Sequence, residues 1–492
     1  MRWLNDASLR TSGIRGVLPS MNVIRWCAIL WLMALINGCG GGGGGGANNT
    51  PAPDRSWQNG IAGDGVHSSV VYPVTSGIAN TADIYVDPNG PGGSVNQLFT
   101  TIKVCVPGSV NACQTIDHVL IDTGSVGLRV FASALSSTQT FPAVTNSSSL
   151  PVMSCANFLD TTYAWGPLVT ADVTIGGEAA SGLPMQIVGK AAFNGLGGVC
   201  APTSGGTALL QPSDLGANGI LGIAQELQDC PSGFCSSTTG TTAFNDPNSA
   251  NGYYYACNQT DCSSVSGTTV SQASQLKNPI SAFAGNNNGV AIQLGAVPSE
   301  ALSVTGAMVF GIGTFASNNY YASVTALTIS SGYISTTFPN TVLKSYLHSF
   351  LDTGSNGLYF EPASNGLLPF CTRYLGFYCP TGPLPLPVPT SGVAQLTGGG
   401  GTKTLASPAF NIANAEGLTF TNAAEPQLGG PLGVVRSNGN GGVSYTPPAD
   451  TTIFDWGLPF FYGKTVIIGF TGLTVPAATG ALSGKTGPFY AL

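Results

Sequence analysis

The feature that most constrains this chain is an internal repeat built around two aspartates. Residues 114–131 read QTIDHVLIDTGSVGLRVF, and residues 344–361 read KSYLHSFLDTGSNGLYFE. Aligned without a gap, the copies share a histidine, the run Asp-Thr-Gly-Ser and the Gly-Leu pair that follows. Asp122 and Asp352 hold the same place in the two copies, 230 residues apart. A duplication of this length predicts two versions of one lobe.

The remaining sequence predicts β structure. Only 8% of the residues are charged, against roughly 25% in an average soluble protein, and glycine supplies 68 of the 492 residues. The apolar runs are short and end at Gly, Pro or Asn, as strands do. We therefore expect an all-β, two-lobed chain. The N-terminal lobe is predicted at 66–297, with a Cys-rich insert at 228–268, and the C-terminal lobe at 298–492.

Each repeated aspartate follows an apolar segment, Val119–Ile121 or Ser349–Leu351. Burial of a lone carboxylate is costly. If the lobes pack about a pseudo-twofold axis, the two carboxyl groups meet about 3 Å apart and share one proton at acidic pH. The ionised group can take a proton from water while its protonated partner polarises a carbonyl. This pattern predicts amide hydrolysis without a covalent intermediate, a metal or another cofactor.

These motifs resemble those of the pepsin-like (A1-type) aspartic proteases. Residues 121–128 and 351–358 resemble the two active-site segments of that family, and residues 219–224 and 456–466 resemble the elements that close its two lobes. The resemblance covers roughly residues 90–475. It implies a bilobal pepsin-like fold with a cleft between two β lobes, and an endopeptidase that works best at acidic pH.

The resemblance also implies roles for individual residues. Asp122 and Asp352 match the catalytic pair, here called the dyad. Its supporting residues would be Thr123, Gly124, Ser125, Thr353, Gly354 and Ser355. Tyr163 and Trp165 fall in a segment that resembles the hairpin, or flap, that covers the substrate. Three features depart from the family pattern: Arg129 replaces a tryptophan, the flap is shorter and lacks the usual Gly-Thr-Gly tip, and Asp455 replaces an apolar residue.

Two other functional classes fit the same sequence. One is a catalytically inactive pepsin-like lipoprotein that binds peptides or proteins in the inter-lobe cleft. The other is a structural surface protein whose two repeats are stacking units. His118 and His348 lie four residues before their aspartates, about 13 Å along a strand, so a packing role is expected for both. The chain has no H-E-x-x-H or G-x-S-x-G motif, which weakens metalloprotease and serine-hydrolase interpretations.

The N-terminus predicts export. Four arginines precede the apolar run Trp26–Ile36, and Asn37-Gly38-Cys39 follows it. Residues 1–38 resemble a bacterial lipoprotein signal peptide, with Met1 or Met21 as the start, and the alternative is an ordinary signal peptide or an anchor helix. The resemblance implies lipidation of Cys39, a Gly-rich tether at 39–65, and attachment to the outer membrane of a Gram-negative-type cell envelope.

The charge balance bears on partners. The chain has 15 basic and 22 acidic residues, and residues 1–38 hold four arginines and one aspartate, so the mature part has 11 basic and 21 acidic residues. An acidic surface argues against nucleic-acid binding. The expected partners are a peptide or protein substrate and the membrane that holds the lipid anchor, with the chain itself a monomer.

Cysteine usage fits an oxidising compartment, since ten cysteines remain after Cys27 and Cys39. Their spacing predicts the disulfide pairs Cys105–Cys113, Cys155–Cys200, Cys230–Cys235, Cys257–Cys262 and Cys371–Cys379. The two C-x4-C pairs, at 230–235 and 257–262, could instead form a zinc site. We expect disulfides and no metal, because exported thiols are usually oxidised.

Overall fold

The structure is a computed structural model, and it describes residues 80–93, 95–158, 161–201, 206–230, 254–258, 260–262, 270–314, 324–339, 343–363, 367–387, 393–418, 420–438, 442–476 and 480–492. These residues form 26 β-strands. The α-helices of the described residues are two short ones, α1 (Ala191–Asn194) and α2 (Pro212–Leu215). The predicted all-β class is confirmed.

The first half of the chain contributes ten strands. They are β1 (Thr81–Val86), β2 (Phe99–Cys105), β3 (Cys113–Asp122), β4 (Val126–Phe131), β5 (Val152–Asn157), β6 (Thr162–Ile175), β7 (Glu178–Val188), β8 (Thr207–Leu209), β9 (Gly219–Ile223) and β10 (Tyr254–Ala256).

The second half contributes sixteen strands. They are β11 (Gly289–Leu294), β12 (Val304–Phe310), β13 (Ala326–Thr328), β14 (Ile334–Thr337), β15 (Tyr346–Leu351), β16 (Leu358–Phe360), β17 (Leu384–Leu386), β18 (Gln395–Gly398), β19 (Gly401–Thr404), β20 (Phe410–Ile412), β21 (Gly429–Gly430), β22 (Val434–Ser437), β23 (Val443–Thr446), β24 (Ile453–Trp456), β25 (Thr465–Gly469) and β26 (Phe489–Ala491).

The first repeat copy folds into a compact unit around Asp122. β3 pairs in parallel with β9, which places Asp122 opposite Gly222, and β4 pairs antiparallel with β9. β4 also pairs in parallel with β7. A Cβ on Gly222 would lie 2.8 Å from backbone atoms of Val126, so the close pairing of β9 with the chain after Asp122 requires glycine.

The second repeat copy forms the same unit. β15 pairs in parallel with β24, with Leu351 opposite Trp456, and β16 pairs antiparallel with β24. β16 also pairs in parallel with β21. Parallel and antiparallel pairings therefore follow the same order in both halves. The predicted fold, two β lobes built from one repeat, is confirmed.

Backbone hydrogen bonds join the two halves. β1 of the first half pairs antiparallel with β12 of the second, within one 15-stranded sheet that also holds β11 and β25. The second repeat unit lies in a separate seven-stranded sheet in the order β19-β18-β14-β15-β24-β16-β21. The predicted boundary at residues 297 and 298 falls between β11 and β12, which are neighbours in the large sheet.

One apolar core extends beneath both aspartates. Ile121 and Leu221 of the first lobe, and Leu351 and Trp456 of the second, are fully buried members of the same cluster. Burying a large apolar side chain contributes about 1.5–3 kcal/mol. The strands that end at Asp122 and Asp352 are therefore anchored in a common packed interior, which fixes where the two carboxyl groups lie.

Four predicted disulfides are confirmed. They are Cys105–Cys113, Cys155–Cys200, Cys257–Cys262 and Cys371–Cys379. Cys230 is also disulfide-bonded, and its predicted partner Cys235 lies outside the described residues. Because Cys257 and Cys262 are bonded to each other, the alternative zinc site lacks two of its four thiolates.

Several predictions concern residues outside the described part of the chain. The signal peptide, the tether and Cys39 all fall within residues 1–79, and most of the Cys-rich insert falls within residues 231–253 and 263–269. Within the described residues, no helix has the length and apolar character needed to cross a bilayer.

Candidate active site

Asp122 and Asp352 meet where the two lobes join. Both residues are completely buried, and their carboxyl groups are hydrogen-bonded to each other. Gly124 makes this approach possible, because a Cβ there would lie 2.5 Å from Oδ2 of Asp352. The structure thus brings together the two aspartates that the sequence predicts as a pair.

Thr123 and Thr353 link the two aspartate loops by four hydrogen bonds. The Thr123 hydroxyl donates to the carbonyl of Leu351 (2.9 Å) and accepts from the N–H of Thr353 (2.9 Å). The Thr353 hydroxyl donates to the carbonyl of Ile121 (2.8 Å) and accepts from the N–H of Thr123 (3.2 Å). Each bond crosses between lobes, so the pattern fixes one loop relative to the other.

Each dyad carboxyl group also accepts hydrogen bonds from its own loop. One oxygen accepts from the backbone N–H two residues later, and the other accepts from the serine hydroxyl three residues later. The donors are Gly124 N–H (2.7 Å) and the Ser125 hydroxyl for Asp122, and Gly354 N–H (2.8 Å) and the Ser355 hydroxyl (3.1 Å) for Asp352. All the predicted supporting residues therefore lie at the dyad.

The electrostatics of the dyad favour a single retained proton. Burial raises the pKa of Asp122 well above its ordinary value, and the charge of Asp352 raises it further. Burial also raises the pKa of Asp352, but the hydrogen bond from Asp122 opposes that rise. The two ionisations are coupled, so the retained proton and the titration belong to the pair.

Asp455 adds a third carboxyl group to this centre. It is completely buried on β24, and one of its oxygens, Oδ2, accepts a hydrogen bond of 2.6 Å from the Ser355 hydroxyl. Burial, and then the charges of Asp352 and Asp122, raise the pKa of Asp455 well above its ordinary value. From the sequence we mark Asp455 as a departure from the family pattern and do not predict its contact with Ser355.

Arg129 lies in a buried polar cluster of the first lobe. Its guanidinium donates to the carbonyl of Val126 (2.8 Å) and lies 3.7 Å from a carboxylate oxygen of Asp229. Asp229 also accepts a hydrogen bond from the Tyr254 hydroxyl. Burial raises the pKa of Asp229 to about 6 despite the opposing charge of Arg129. The sequence does not predict this cluster, because Asp229 and Tyr254 belong to the insert, whose path has no local signature.

Tyr163 and Trp165 lie on β6 within an aromatic and disulfide cluster. Both side chains are buried with Cys155, Cys200 and Tyr255. The Trp165 indole donates to the carbonyl of Phe193 (3.0 Å) and packs edge-on against Tyr255. The structure thus gives both residues a packing environment, and their role in covering a substrate stays a prediction.

The two repeated histidines contact local carboxylates. His118 lies 3.1 Å from Asp87 and 3.4 Å from Asp117, and His348 lies 2.5 Å from Asp450. His118 also packs against Tyr85, and His348 against Tyr333. These contacts fit the packing role expected from the sequence.

One group of possible metal ligands occurs in the described residues: Cys371, Cys379 and Glu416. The two cysteines form a disulfide, so they do not offer thiolates. Glu416 accepts hydrogen bonds from the backbone of Thr372 and Arg373. The donor set therefore does not fit a metal ion.

Comparisons with known proteins yield a family but no activity. No curated protein matches the chain. Among solved structures, it is similar to the crystal structure of an aspartic proteinase from Irpex lacteus, with 12% identity over 84% of this chain and 96% of that chain, and a TM-score of 0.41. A family described as "Protein of unknown function (DUF3443)" matches residues 76–492. The chain therefore belongs to this family.

Proposed function

We propose that the chain is an aspartic endopeptidase that hydrolyses peptide bonds with a water molecule activated between Asp122 and Asp352. The observation that carries the proposal is the pair of buried carboxyl groups, hydrogen-bonded to each other where the two lobes join. Such a pair retains one proton and so supplies both a general base and a general acid. The proposed substrate is a peptide or protein, and the proposed working form is a monomer.

In the first step, ionised Asp352 takes a proton from water as the water oxygen attacks the peptide carbonyl carbon. Protonated Asp122 gives its proton to the carbonyl oxygen, which yields a tetrahedral diol. In the second step the C–N bond breaks, the amide nitrogen takes the proton from Asp352, and one diol hydroxyl returns its proton to Asp122. The dyad regains its starting state, and no step uses a metal or another cofactor.

A second candidate is a pepsin-like protein that binds peptides in the inter-lobe cleft without cleaving them. One observation favours it: both dyad carboxyl groups are completely enclosed, with 0% of either residue exposed. Catalysis requires water and a peptide carbonyl to reach these groups. The enzyme proposal therefore requires that the two carboxyl groups become accessible when a substrate binds.

A soluble protein of residues 47–492 distinguishes the two candidates. The enzyme proposal expects this protein to cleave a denatured protein at mildly acidic pH and to be blocked by a statine-type inhibitor, whose hydroxyl replaces the attacking water. Binding of the inhibitor without cleavage of any substrate would support the binding protein instead. Absence of both binding and cleavage would reject both candidates.

We also propose that the mature protein is anchored to the outer membrane through a lipid on Cys39. The support is the sequence pattern alone, an arginine-rich segment and a short apolar run before Cys39. Expression in a Gram-negative host with a labelled fatty acid tests the anchor. Label should enter the wild type and be absent from Cys39→Ser.

A further inference from the structure

The hydroxyl of Ser355 lies between two carboxyl groups. Its oxygen is 3.1 Å from Oδ2 of Asp352 and 2.6 Å from Oδ2 of Asp455. A hydroxyl group has one hydrogen to donate. Both contacts can therefore be hydrogen bonds only if one of the two carboxyl groups is protonated and donates to the serine oxygen.

The first lobe lacks this third carboxyl group. Asp455 is paired with Phe350 on β15 and with Tyr359 on β16. At the equivalent place in the first lobe, Ile220 is paired with Leu120 on β3 and with Arg129 on β4. Ser125 accordingly bonds to Asp122 without a neighbouring carboxyl group at the Ile220 position. The hydrogen bonds of Thr123 and Thr353 are thus the same in both lobes, whereas Ser355 has a second carboxyl neighbour, Asp455, that Ser125 lacks at the Ile220 position.

The surroundings of Asp455 favour its protonated form. In the described part of the chain its other oxygen, Oδ1, is buried without a hydrogen-bond partner. An ionised carboxylate in that position would be costly, because nothing compensates its charge. The charged groups that act on it are Asp352 and Asp122, both acidic, and burial together with these charges raises its pKa.

Two tyrosines lie near Asp455. Tyr359, on the neighbouring strand, donates its hydroxyl to Asn356. Tyr490, on β26, accepts from the N–H of Leu351, and the charges of Asp352 and Asp455 both act on it. The titratable groups that neighbour Asp455 on these strands are therefore carboxyl groups and phenols.

We propose that Asp455 is a positioning residue of the dyad: protonated, it donates to Ser355, so that the Ser355 hydroxyl donates to Asp352 and Asp352 is the ionised member of the pair. Because this role concerns the reaction given above, it rests on the proposed function. Asp455 is completely buried and reaches the dyad through the Ser355 hydroxyl. It acts by fixing the direction of one hydroxyl group.

Two substitutions of Asp455 distinguish its role as a hydrogen-bond donor from its role as an ionisable group. Asp455→Ile removes the donor and installs the residue that the first lobe carries at this place. Asp455→Asn keeps a donor, the amide N–H, but has no proton to lose. Without the donor, the Ser355 hydroxyl is no longer held toward Asp352, so the ionised form of Asp352 loses stabilisation.

The acidic limb of the pH profile of kcat/KM reports this effect, because it follows ionisation of the free enzyme. Loss of a hydrogen bond to the ionised form should move the limb of Asp455→Ile upward by about one pH unit. Asp455→Asn should follow the wild type. In a Ser355→Ala background, Asp455→Ile should produce no additional shift. Superimposable wild-type and Asp455→Ile profiles would overturn the proposal.

A second measurement does not depend on activity. Infrared difference spectra of wild type against Asp455→Asn at near-neutral pH should show the C=O band of one protonated carboxylic acid present only in the wild type. If the band difference is present and no variant cleaves any substrate, the proton on Asp455 stands and the proposed function fails. If cleavage is observed and the spectra are identical, the inference fails and the proposed function stands.

Discussion

The hydroxyl of Thr123 donates to the carbonyl of Leu351 and accepts from the N–H of Thr353, so one side chain of the first lobe satisfies two backbone groups of the second. Thr353 makes the reciprocal bonds to the first lobe. The carboxyl groups of Asp122 and Asp352 meet directly beside these bonds. The placement of the dyad is therefore a consequence of cross-lobe hydrogen bonds between residues 230 positions apart.

Loss of one of these hydroxyl groups should destabilise the protein. Thr123→Val keeps the shape of the side chain but leaves a buried N–H and a buried carbonyl unpaired, which costs about 1–3 kcal/mol for each group. Urea unfolding should show this loss for Thr123→Val and for Thr353→Val. Thr123→Ser should retain most of the stability, since its hydroxyl can form the same bonds.

The matched control for the threonine variants is Thr337→Val on the exposed face of β14. Its unfolding free energy should stay within about 0.5 kcal/mol of the wild type. Equal effects of Thr123→Val and Thr337→Val would show that the cross-lobe bonds contribute nothing measurable.

Asp455 should make stability fall as pH rises. Its folded-state pKa is raised well above the ordinary value, so the folded state binds its proton more tightly than the unfolded state does. That contribution is fully present below the unfolded value of about 3.9 and is lost as pH rises through the folded value. Asp455→Ile should therefore flatten the dependence of unfolding free energy on pH by up to about 1.4 kcal/mol per pH unit.

Denaturant unfolding over a series of pH values measures this slope. Thr337→Val on β14 is a suitable comparison, because it removes an exposed side chain that does not titrate. That variant should keep the wild-type slope. An Asp455→Ile slope equal to that of the wild type would mean that Asp455 is ionised in both states.

Arg129 and Asp229 should be strongly coupled. Both are buried, and removal of one partner from a buried ion pair costs about 3–5 kcal/mol. Arg129→Met should therefore destabilise the protein at pH values above the Asp229 pKa of about 6, and less below it, because protonated Asp229 no longer needs a cation. Loss of Arg129 also removes the charge that opposes the rise of this pKa.

The double variant Arg129→Met with Asp229→Leu completes this test. Removing both charges should recover most of the lost unfolding free energy, because a buried ion pair is often replaceable by apolar groups. Additive losses in the double variant would show that the two residues act independently.

The sequence predicts the parts of this site that are encoded locally. Asp122 and Asp352 are found because each ends an apolar strand in a repeated motif, and four disulfides follow from the spacing of their cysteines. The pairing of β1 with β12 is not predictable in this way, because no local pattern specifies a partner more than 200 residues away.

The contacts of Asp455 and Arg129 differ in how far the sequence can predict them. Asp455 could have been placed beside Ser355 by aligning the two lobes, since Ile220 occupies the same register against β3 and β4. The contact between Arg129 and Asp229 could not have been predicted in this way, because Asp229 belongs to the insert, which has no equivalent in the second copy. Strand register inside the repeat can therefore be predicted by aligning the two copies, whereas contacts made by an inserted segment cannot.

The hydrolysis of a peptide substrate by single variants of the dyad tests the central claim most directly. With kcat/KM measured across the acidic pH range for the wild type, Asp122→Asn and Asp352→Asn, each substitution should lower activity by about 10²–10⁴-fold, because each removes a general acid or base. Asp117→Asn should retain full activity. Hydrolysis by Asp352→Asn at the wild-type rate would contradict a mechanism in which the two aspartates activate water.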